Sequence, residues 1–203
     1  MGRWEPDAAG RLREASLDLF VEQGYDDTTV ADIAERAGLT ARTFFRYFAN
    51  KREVLFAGSE QLEAEMVAAM DATPADAAPM QAVAAALQAS AAVLDQRRSF
   101  ARRRQEVVAA NPELRERELL KLASLGAALR DGLRRRGVAE PAASLAGEAA
   151  IVVFRVAFGR WVDGSAERDL AAVMTECMDE LAGLSAVTSR PRRDAAAGSR
   201  APG

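Results

Sequence analysis

Residues 28–51 contain the feature that most constrains this chain: two short helical segments separated by a turn that contains a glycine. Thr29 suits the N-cap of the first segment, and Asp32, three residues later, can complete a capping box. Gly38 supplies the left-handed conformation that ends this helix, and Thr40 can cap the second one. This order of caps and turn is typical of a helix-turn-helix unit.

The second segment, residues 41–48, has two chemically different faces. Helical spacing turns Phe44 and Phe48 inward and leaves Tyr47 at their edge. The residues on the opposite side are Arg42, Phe45 and Arg46. A guanidinium can donate two hydrogen bonds to a guanine edge, and an aromatic ring can contact a thymine methyl group. The pattern therefore predicts a helix that reads the major groove of DNA.

A third helix is predicted to begin at Lys51, with Asn50 as its cap, and to run to about Met70. A lysine at a helix N-terminus suits a contact with one backbone phosphate. The chain carries a net charge of −3, yet residues 36–52 contain no acidic side chain. The basic residues of this stretch are Arg36, Arg42, Arg46, Lys51 and Arg52. Such a local basic face is sufficient for DNA binding by an otherwise acidic protein.

Across about residues 10–58, this region resembles the N-terminal domain of the tetracycline-repressor (TetR) family of regulators. The residues that agree with the family in order and spacing are Leu19-Phe20, Gly24-Tyr25, Thr28-Thr29-Val30, Ile33-Ala34, Ala37-Gly38-Leu39, Thr43-Phe44-Phe45-Arg46-Tyr47-Phe48 and Lys51. In that family the second of the two helices enters the major groove. The family usually has tyrosine where this chain has Phe45, so a hydroxyl that typically bonds phosphate is absent.

The motif and the resemblance together identify nine candidate DNA-binding residues. They are Thr28, Thr29, Thr40, Arg42, Thr43, Phe45, Arg46, Tyr47 and Lys51. The aromatic residues among them have a second interpretation, because any three-helix bundle needs an aromatic core. Tyr47 can satisfy both, since its ring can pack while its hydroxyl reaches a phosphate.

Abundant alanine and leucine, with few strand-forming residues, predict an all-α protein. We expect an N-terminal three-helix helix-turn-helix DNA-binding domain (1–52), a helical ligand-sensing and dimerisation domain (53–187) and a disordered tail (188–203). The predicted helices beyond the motif span about 8–23, 80–95, 99–110, 112–136, 142–162 and 167–184. Asn111 is the expected cap of the 112–136 helix, with Pro112 as its first residue.

The last two predicted helices, 142–162 and 167–184, are expected to form a homodimer. The first of them is apolar nearly all round, so it must be covered on both sides. One cover can be the core of its own domain, and the other can be a two-fold copy of itself. The resemblance implies the same arrangement. The alternative is a fully internal helix of a monomer.

The effector pocket is the least defined prediction. The candidate ligand-binding residues are Met66, Phe100, Phe154, Arg155 and Phe158, although methionine and aromatic residues at helical spacing also build ordinary cores. Arg155 stands in an apolar run, and an unpaired buried charge is costly. We therefore expect it to pair with Glu148 or Glu176, or alternatively with an acidic ligand.

Several classes of site are excluded or disfavoured by composition. The chain has no histidine, so histidine catalysis and histidine metal ligation are excluded, and no cofactor motif is present. The lone Cys177 lies on an apolar stripe and is predicted to be a core residue in a reducing compartment. The start of the chain lacks an apolar signal run, which favours the cytoplasm. The basic cluster at 97–104 is expected to be a solvated face.

The resemblance implies a sequence-specific regulator of transcription that binds double-stranded DNA. Family members generally repress from a near-palindromic operator and are released by a small-molecule effector. One alternative is a regulator that activates, or that needs no ligand. A small α-helical enzyme is a further alternative; it would need an Asp or Glu acid–base pair, and no spacing in the sequence indicates one.

Overall fold

The computed structural model describes residues 7–164 and 168–186, and in these ranges the chain is entirely helical, without strands. The α-helices are α1 (Ala8–Glu22), α2 (Val30–Arg36), α3 (Ala41–Tyr47), α4 (Ser59–Asp71), α5 (Pro79–Leu94), α6 (Arg98–Ala110), α7 (Pro112–Arg135), α8 (Ala142–Asp163) and α9 (Leu170–Ala186). Short 3-10 helices span Glu53–Phe56 and Asp95–Arg97. The all-α prediction is confirmed. The predicted tail at 188–203 and the predicted helix start at 167 lie outside the described residues.

The predicted helix caps and the predicted turn of the helix-turn-helix unit are confirmed. The Thr29 hydroxyl accepts from the Asp32 amide at 3.2 Å, and the Asp32 carboxylate accepts from the Thr29 amide at 2.9 Å. Gly38 has a φ of 66°, the left-handed conformation that a side chain would disfavour. The Thr40 hydroxyl accepts from the Thr43 amide at 3.2 Å. Each signal acts within four residues, which is why the sequence alone specified it.

The predicted continuous helix from Lys51 to Met70 is wrong. Asn50 does accept from the Glu53 amide at 3.1 Å, but the helix it opens is the short 3-10 helix Glu53–Phe56. Gly58 then adopts a φ of 91°, and α4 begins at the next residue. A glycine in this conformation breaks the helical path. The chain therefore turns a corner immediately before α4.

Asn111 occupies the N-cap position of α7, as predicted, but its side chain makes no capping hydrogen bond to this helix. Its side-chain amide donates instead to the Val107 carbonyl at 2.6 Å, so it satisfies an acceptor at the end of α6. Pro112 is the first residue of α7, as predicted. The turn between α6 and α7 is therefore short and is held from the α6 side.

The described residues form two apolar clusters. The N-terminal cluster joins α1–α3 to the 3-10 segment Glu53–Phe56 and also includes Val107, Val108 and Leu114 from the α6–α7 corner. The C-terminal cluster is built from α4, α5, α7, α8 and α9, with parts of α6. The α6–α7 corner thus belongs to the core of the N-terminal region, although it is far away in sequence. The domain division at 52 and 53 remains a proposal.

The arginine cluster at 97–104 is not simply the solvated face that was predicted. Arg103 pairs with Asp18 of α1, and Arg104 donates to the Leu55 carbonyl and to Glu118, each at 2.8 Å. The Arg104 guanidinium also lies 4.8 Å from the centre of the Phe56 ring. These bonds fasten α6 to the N-terminal region. Helical spacing could not reveal them, because their partners are distant in sequence.

Helix α8 lies at the centre of the C-terminal bundle and packs against α5, α7 and α9. It is long and apolar enough, by composition alone, to be a candidate membrane span. The core helix of a soluble protein passes the same test, and Ala143, Ala150 and Ala157 of α8 are fully buried against its neighbours. One side of α8 nevertheless remains exposed.

Candidate nucleic-acid interface and effector region

The inner side of α3 anchors this helix on the N-terminal cluster. Phe44 is fully buried and Phe48 is 8% exposed, with their ring centres 5.4 Å apart. Phe45 is 57% exposed and Tyr47 is 44% exposed. The Phe45 ring meets the Phe44 ring edge-on, with ring centres 5.6 Å apart, while more than half of its surface stays open to solvent. The two-faced arrangement inferred from helical spacing is therefore present, and only one face needs a partner.

The outer side of α3 presents an open depression to solvent. Its lining residues are Arg42, Thr43, Phe45 and Arg46. Arg46 donates to the Tyr47 hydroxyl at 3.1 Å, and its guanidinium lies 4.9 Å from the centre of the Tyr47 ring. Within the described residues, nothing bonds to the Arg42 side chain. Arg42 is thus available for a new partner, whereas Arg46 is already oriented by its neighbour.

The threonines differ in how far they can reach a partner. Thr29 and Thr40 are exposed at the N-termini of α2 and α3, and the Thr40 and Thr43 hydroxyls are 3.0 Å apart. Thr28 is only 1% exposed, and its hydroxyl donates to the Gly24 carbonyl at 2.7 Å. The structure therefore places Thr28 in the support of the α1–α2 turn, away from the surface.

Lys51 does not present its ammonium group to solvent as the sequence suggested. It donates to the carbonyls of Tyr25, Asp26 and Thr28 at 2.7, 3.2 and 3.1 Å. An ammonium has three protons, so these bonds use all of its donors. It also lies 4.3 Å from the centre of the Tyr25 ring. We therefore assign Lys51 to holding the α1–α2 turn, in place of a direct phosphate contact.

Several acidic side chains near the candidate interface are held by ion pairs or hydrogen bonds. Hydrogen bonding to Arg36 lowers the pKa of Glu22, and the two side chains meet at 2.7 Å. Hydrogen bonds from Thr29 lower the pKa of Asp32, and hydrogen bonding to Arg117 of α7 lowers that of Glu53. Burial raises the pKa of Tyr25 to about 12. The carboxylates of Glu22, Asp32 and Glu53 are therefore engaged, while the Arg42 guanidinium is not.

The five candidate ligand-binding residues do not form one site. Met66 and Phe154 are buried in the C-terminal cluster, where Phe158 also packs. Phe100 belongs to the N-terminal cluster and lies beneath the Arg13 guanidinium, 5.3 Å from its ring centre. Their role in ligand binding stays a prediction, because helical spacing shows which residues are apolar, but not which core they join.

The expectation that Arg155 is a buried, paired cation is also wrong. Arg155 is exposed on the outer side of α8, and no hydrogen bond or ion pair connects it to another described residue. Glu176, one of its two expected partners, pairs instead with Arg160 at 3.2 Å and also with Arg168. Glu148, the other, is itself exposed. An apolar neighbourhood in sequence does not imply burial, because those neighbours lie on both sides of the helix.

A small crevice that the sequence did not indicate opens near the end of α8. It has a volume of about 160 Å³ and is lined by Arg98, Arg160, Trp161, Gly164, Arg168 and Val173. Arg98 donates to the Gly164 carbonyl at 2.8 Å and lies over the Trp161 ring at 5.4 Å. Arg160 approaches the Cys177 sulfur at 3.4 Å. Cys177 is buried, as predicted, but beside a cation that is distant in sequence.

Among the described residues, no group of three or more acidic or cysteine side chains is arranged to hold a metal ion. The outer side of α8 instead exposes three large apolar side chains along one face. Leu145 is 67% exposed, Val152 is 51% exposed and Val156 is 48% exposed. Apolar side chains grouped in this way mark an interaction surface.

Two family models match the chain. One, described as bacterial regulatory proteins of the tetR family, matches residues 12–57. The other, described as the MftR C-terminal domain, matches residues 77–185, which is more than half of the chain. The boundary between the two matches falls in the region of α4.

Individual relatives agree with these matches. The HTH-type transcriptional regulator TcmR of Streptomyces glaucescens is 44% identical over 78 residues, which cover 38% of this chain and 34% of TcmR. The regulator MftR of Mycobacterium tuberculosis is 28% identical over 114 residues, 56% of this chain and 58% of MftR. The chain thus spans less than two thirds of the length of either relative. The transcriptional regulator FadR of Bacillus subtilis, solved with stearoyl-CoA, has a TM-score of 0.59 at 23% identity and covers 85% of this chain and 96% of its own.

Proposed function

This chain belongs to the TetR family of bacterial regulatory proteins, and we propose that it is a repressor that a small-molecule effector releases from DNA. The observation that carries the proposal is the outer face of α3. There Arg42 has no partner among the described residues and Phe45 is 57% exposed. Both side chains stand on a helix whose other side is fixed by buried phenylalanine. A rigid helix with cationic and aromatic side chains facing outward suits the major groove.

Docking of α3 assigns different tasks to its residues. Arg42 reads a base edge, and Phe45 contacts a thymine methyl group. Arg46 and Tyr47 act as a pair, because the Tyr47 hydroxyl already orients the guanidinium. The exposed Thr29 and Thr40, at helix N-termini, bond backbone phosphates, which fixes the position of the helix without reading sequence.

The protein acts as a homodimer that α8 and α9 form. The exposed apolar residues of α8 provide the surface, and a two-fold copy covers it. Two copies present two α3 helices about one turn of DNA apart, ~34–36 Å or somewhat more, so the operator is a near-palindrome. The protein works in the cytoplasm, where its DNA is.

The effector binds in the C-terminal bundle, and the fold match to FadR covers 85% of the chain. FadR was solved in complex with stearoyl-CoA. For this chain we propose only that the bundle binds a small molecule. The arginine-lined crevice, at about 160 Å³, is below the ~300 Å³ of a typical ligand site. A larger effector must therefore move neighbouring core side chains, and Met66 and Met70 can adapt because methionine is flexible.

The effector signal reaches DNA through α6 and its corner with α7, as well as through α4. Arg103 and Arg104 bond the N-terminal region directly, and Arg117 of α7 bonds Glu53 at 2.8 Å. Movement of α6 therefore shifts the two reading heads relative to each other. A coupling of ~1–3 kcal/mol changes operator occupancy by about 5- to 150-fold.

The test is selection of genomic DNA fragments with the purified chain, followed by gel-shift titration of the selected site at two salt concentrations. We expect a near-palindromic site bound by two chains, with affinity that falls steeply with salt because phosphate contacts release counterions. Weak binding that is indifferent to sequence would overturn the proposal. Tight binding that no small molecule relieves would favour the alternative of a regulator that needs no ligand.

A further inference from the structure

The exposed stripe of α8 carries charges as well as apolar side chains. The residues that share this side of the helix at 100° per residue are Leu145, Glu148, Val152, Arg155, Val156, Gly159 and Asp163. Glu148, Arg155 and Asp163 are exposed, and none has a hydrogen bond or ion pair with another described residue. The stripe therefore contains one unpaired base and two unpaired acids, and Glu148 lies two helical turns before Arg155.

We infer that Glu148 and Arg155 form two reciprocal ion pairs across the two-fold axis of the homodimer and thereby fix how the two α8 helices align. This inference rests on the dimer proposed above. In a two-fold interface, if one residue contacts a second on the partner, the second contacts the first in return. The midpoint between positions 148 and 155 falls beside Val152. When the axis passes there, Glu148 of each chain lies opposite Arg155 of the other.

Charge complementarity distinguishes this alignment from its neighbours. If the two-fold axis crossed α8 one turn closer to its N-terminus, each Glu148 would face its own copy. If the axis crossed one turn closer to the C-terminus, Glu148 of each chain would approach Asp163 of the other, which is also exposed. Both alternatives place like charges together, which costs free energy. Of these three alignments, only the axis at Val152 brings opposite charges together on both sides.

Packing favours the same alignment. With the axis at Val152, this valine meets its own copy, and Leu145 lies opposite Gly159. No atom lies within 4 Å of where a Cβ would stand on Gly159, so this position leaves room for a bulky side chain from the other chain. Val156 of one chain then packs beside Glu148 of the other and covers the aliphatic part of the Glu148 side chain. The arrangement is both apolar at the centre and charged at its flanks, as stable interfaces are.

The inference predicts an unusual pattern in charge-reversal variants. In Arg155→Glu the homodimer holds two Glu–Glu contacts, and in Glu148→Arg it holds two Arg–Arg contacts. Each single variant should therefore self-associate about 10- to 100-fold more weakly than the native chain. When the two variants are mixed, every contact becomes Glu–Arg again. The mixed dimer should form with near-native affinity, and so should the homodimer of the double variant.

The experiment is sedimentation equilibrium of each variant, with native mass spectrometry of the equimolar mixture to count mixed dimers. Circular dichroism checks that every variant keeps its helix content. Rescue in the mixture cannot arise from a merely structural role, because both chains are altered in it. Single variants that associate like the native chain, or a mixture that fails to rescue, would overturn the assignment. Asp179 is an exposed acid on α9. If Asp179→Arg, and not Glu148→Arg, restored the association of Arg155→Glu, the partner of Arg155 would lie on α9 and the pairing with Glu148 would be overturned.

Failure of this inference can be told apart from failure of the dimer itself. Leu145→Asp places a charge on the apolar part of the same stripe without touching either member of the pair. If the native chain dimerises and Leu145→Asp dissociates it while charge reversal has no effect, the dimer stands and the alignment is wrong. If the native chain is a monomer, or Leu145→Asp leaves the dimer intact, the proposed use of α8 is wrong and the alignment with it.

Discussion

The outer faces of α3 and α8 are both exposed, and both place arginine among apolar side chains. They differ in whether acidic residues accompany the arginine. Around α3, residues 36–52 contribute five basic side chains and no acidic one. On α8, Glu148 lies on the same stripe as Arg155. The apolar parts also differ: α3 exposes two aromatic rings, Phe45 and Tyr47, while α8 exposes branched aliphatic residues such as Val152.

The difference shows how two similar exposed faces acquire different partners. A face whose charges are all positive cannot satisfy itself with a second copy, because like charges would meet; it needs a polyanion. A face with an acid and a base placed symmetrically about an apolar centre can satisfy itself with its own copy. Exposure of apolar surface alone would not separate these cases, whereas the pattern of charge does.

The largest effect should come from placing a charge at the centre of the α8 face. We expect Val152→Asp to weaken the dimer at least ~100-fold, since a hot spot at the centre of an interface contributes ~2 kcal/mol or more and two aspartates would also face each other. Operator binding should fall with it, because a monomer presents only one α3. Sedimentation equilibrium and gel shift measure the two effects.

Val93→Asp is the matched control, because Val93 is also an exposed valine, 40% accessible, on the separate helix α5. It should leave both the dimer and DNA binding unchanged. Equal behaviour of the two variants would break the distinction between the α8 face and ordinary surface.

The next effect concerns the α3 face alone. Arg42→Ala should weaken operator binding by ~1–3 kcal/mol and relax the preference for one base pair, because a lost bidentate contact removes both energy and discrimination. Dimerisation should not change. Gel-shift titration against the operator and its single-base variants measures both. Arg102→Ala, in an arginine that is also exposed but pairs with Glu106 on α6, should have little effect. If Arg42→Ala bound every sequence like the native chain, α3 would not be the reading helix.

Lys51→Met tests whether Lys51 contacts DNA or supports the α1–α2 turn. Loss of three hydrogen bonds from a charged donor should lower the free energy of unfolding by ~1.5–3 kcal/mol, which urea denaturation measures. The dependence of operator affinity on salt should keep its slope, since no phosphate contact is lost. A slope lower by about one, with unchanged stability, would instead return Lys51 to the DNA face.

The smallest effect is a pH dependence behind the α3 face. Burial raises the pKa of Tyr25 to about 12, so the folded chain resists an ionisation that the unfolded chain undergoes near pH 10. The unfolded state therefore loses protons first, and the stabilisation that is present below pH 10 is lost as the pH rises to about 12. Ultraviolet absorbance of Tyr47→Phe follows Tyr25 alone, because the chain has two tyrosines. Ionisation near pH 10 in the folded protein would contradict the burial.

Some features of both regions could be predicted from sequence because their signals are local. The caps at Thr29 and Thr40, the turn at Gly38 and the two faces of α3 each depend on residues within one or two helical turns. The burial of Phe44 and Phe48 follows from the same spacing. Most other helix boundaries were also predicted to within a few residues, where proline or glycine marked them. Gly58 was overlooked, because a single glycine in a helical pattern does not show which conformation it adopts.

The sequence by itself determined the all-α fold, the helix-turn-helix and the outward direction of Arg42 and Phe45. Tertiary structure decided which distant groups meet. It turned Lys51 towards carbonyls 23 to 26 residues away, joined Arg103 and Arg104 to the DNA-binding region, and left Arg155 exposed without a partner among the described residues. The physical reason is that caps and faces depend on helical periodicity within a single segment. The partner of a long charged side chain depends on how separate helices pack, which periodicity does not specify.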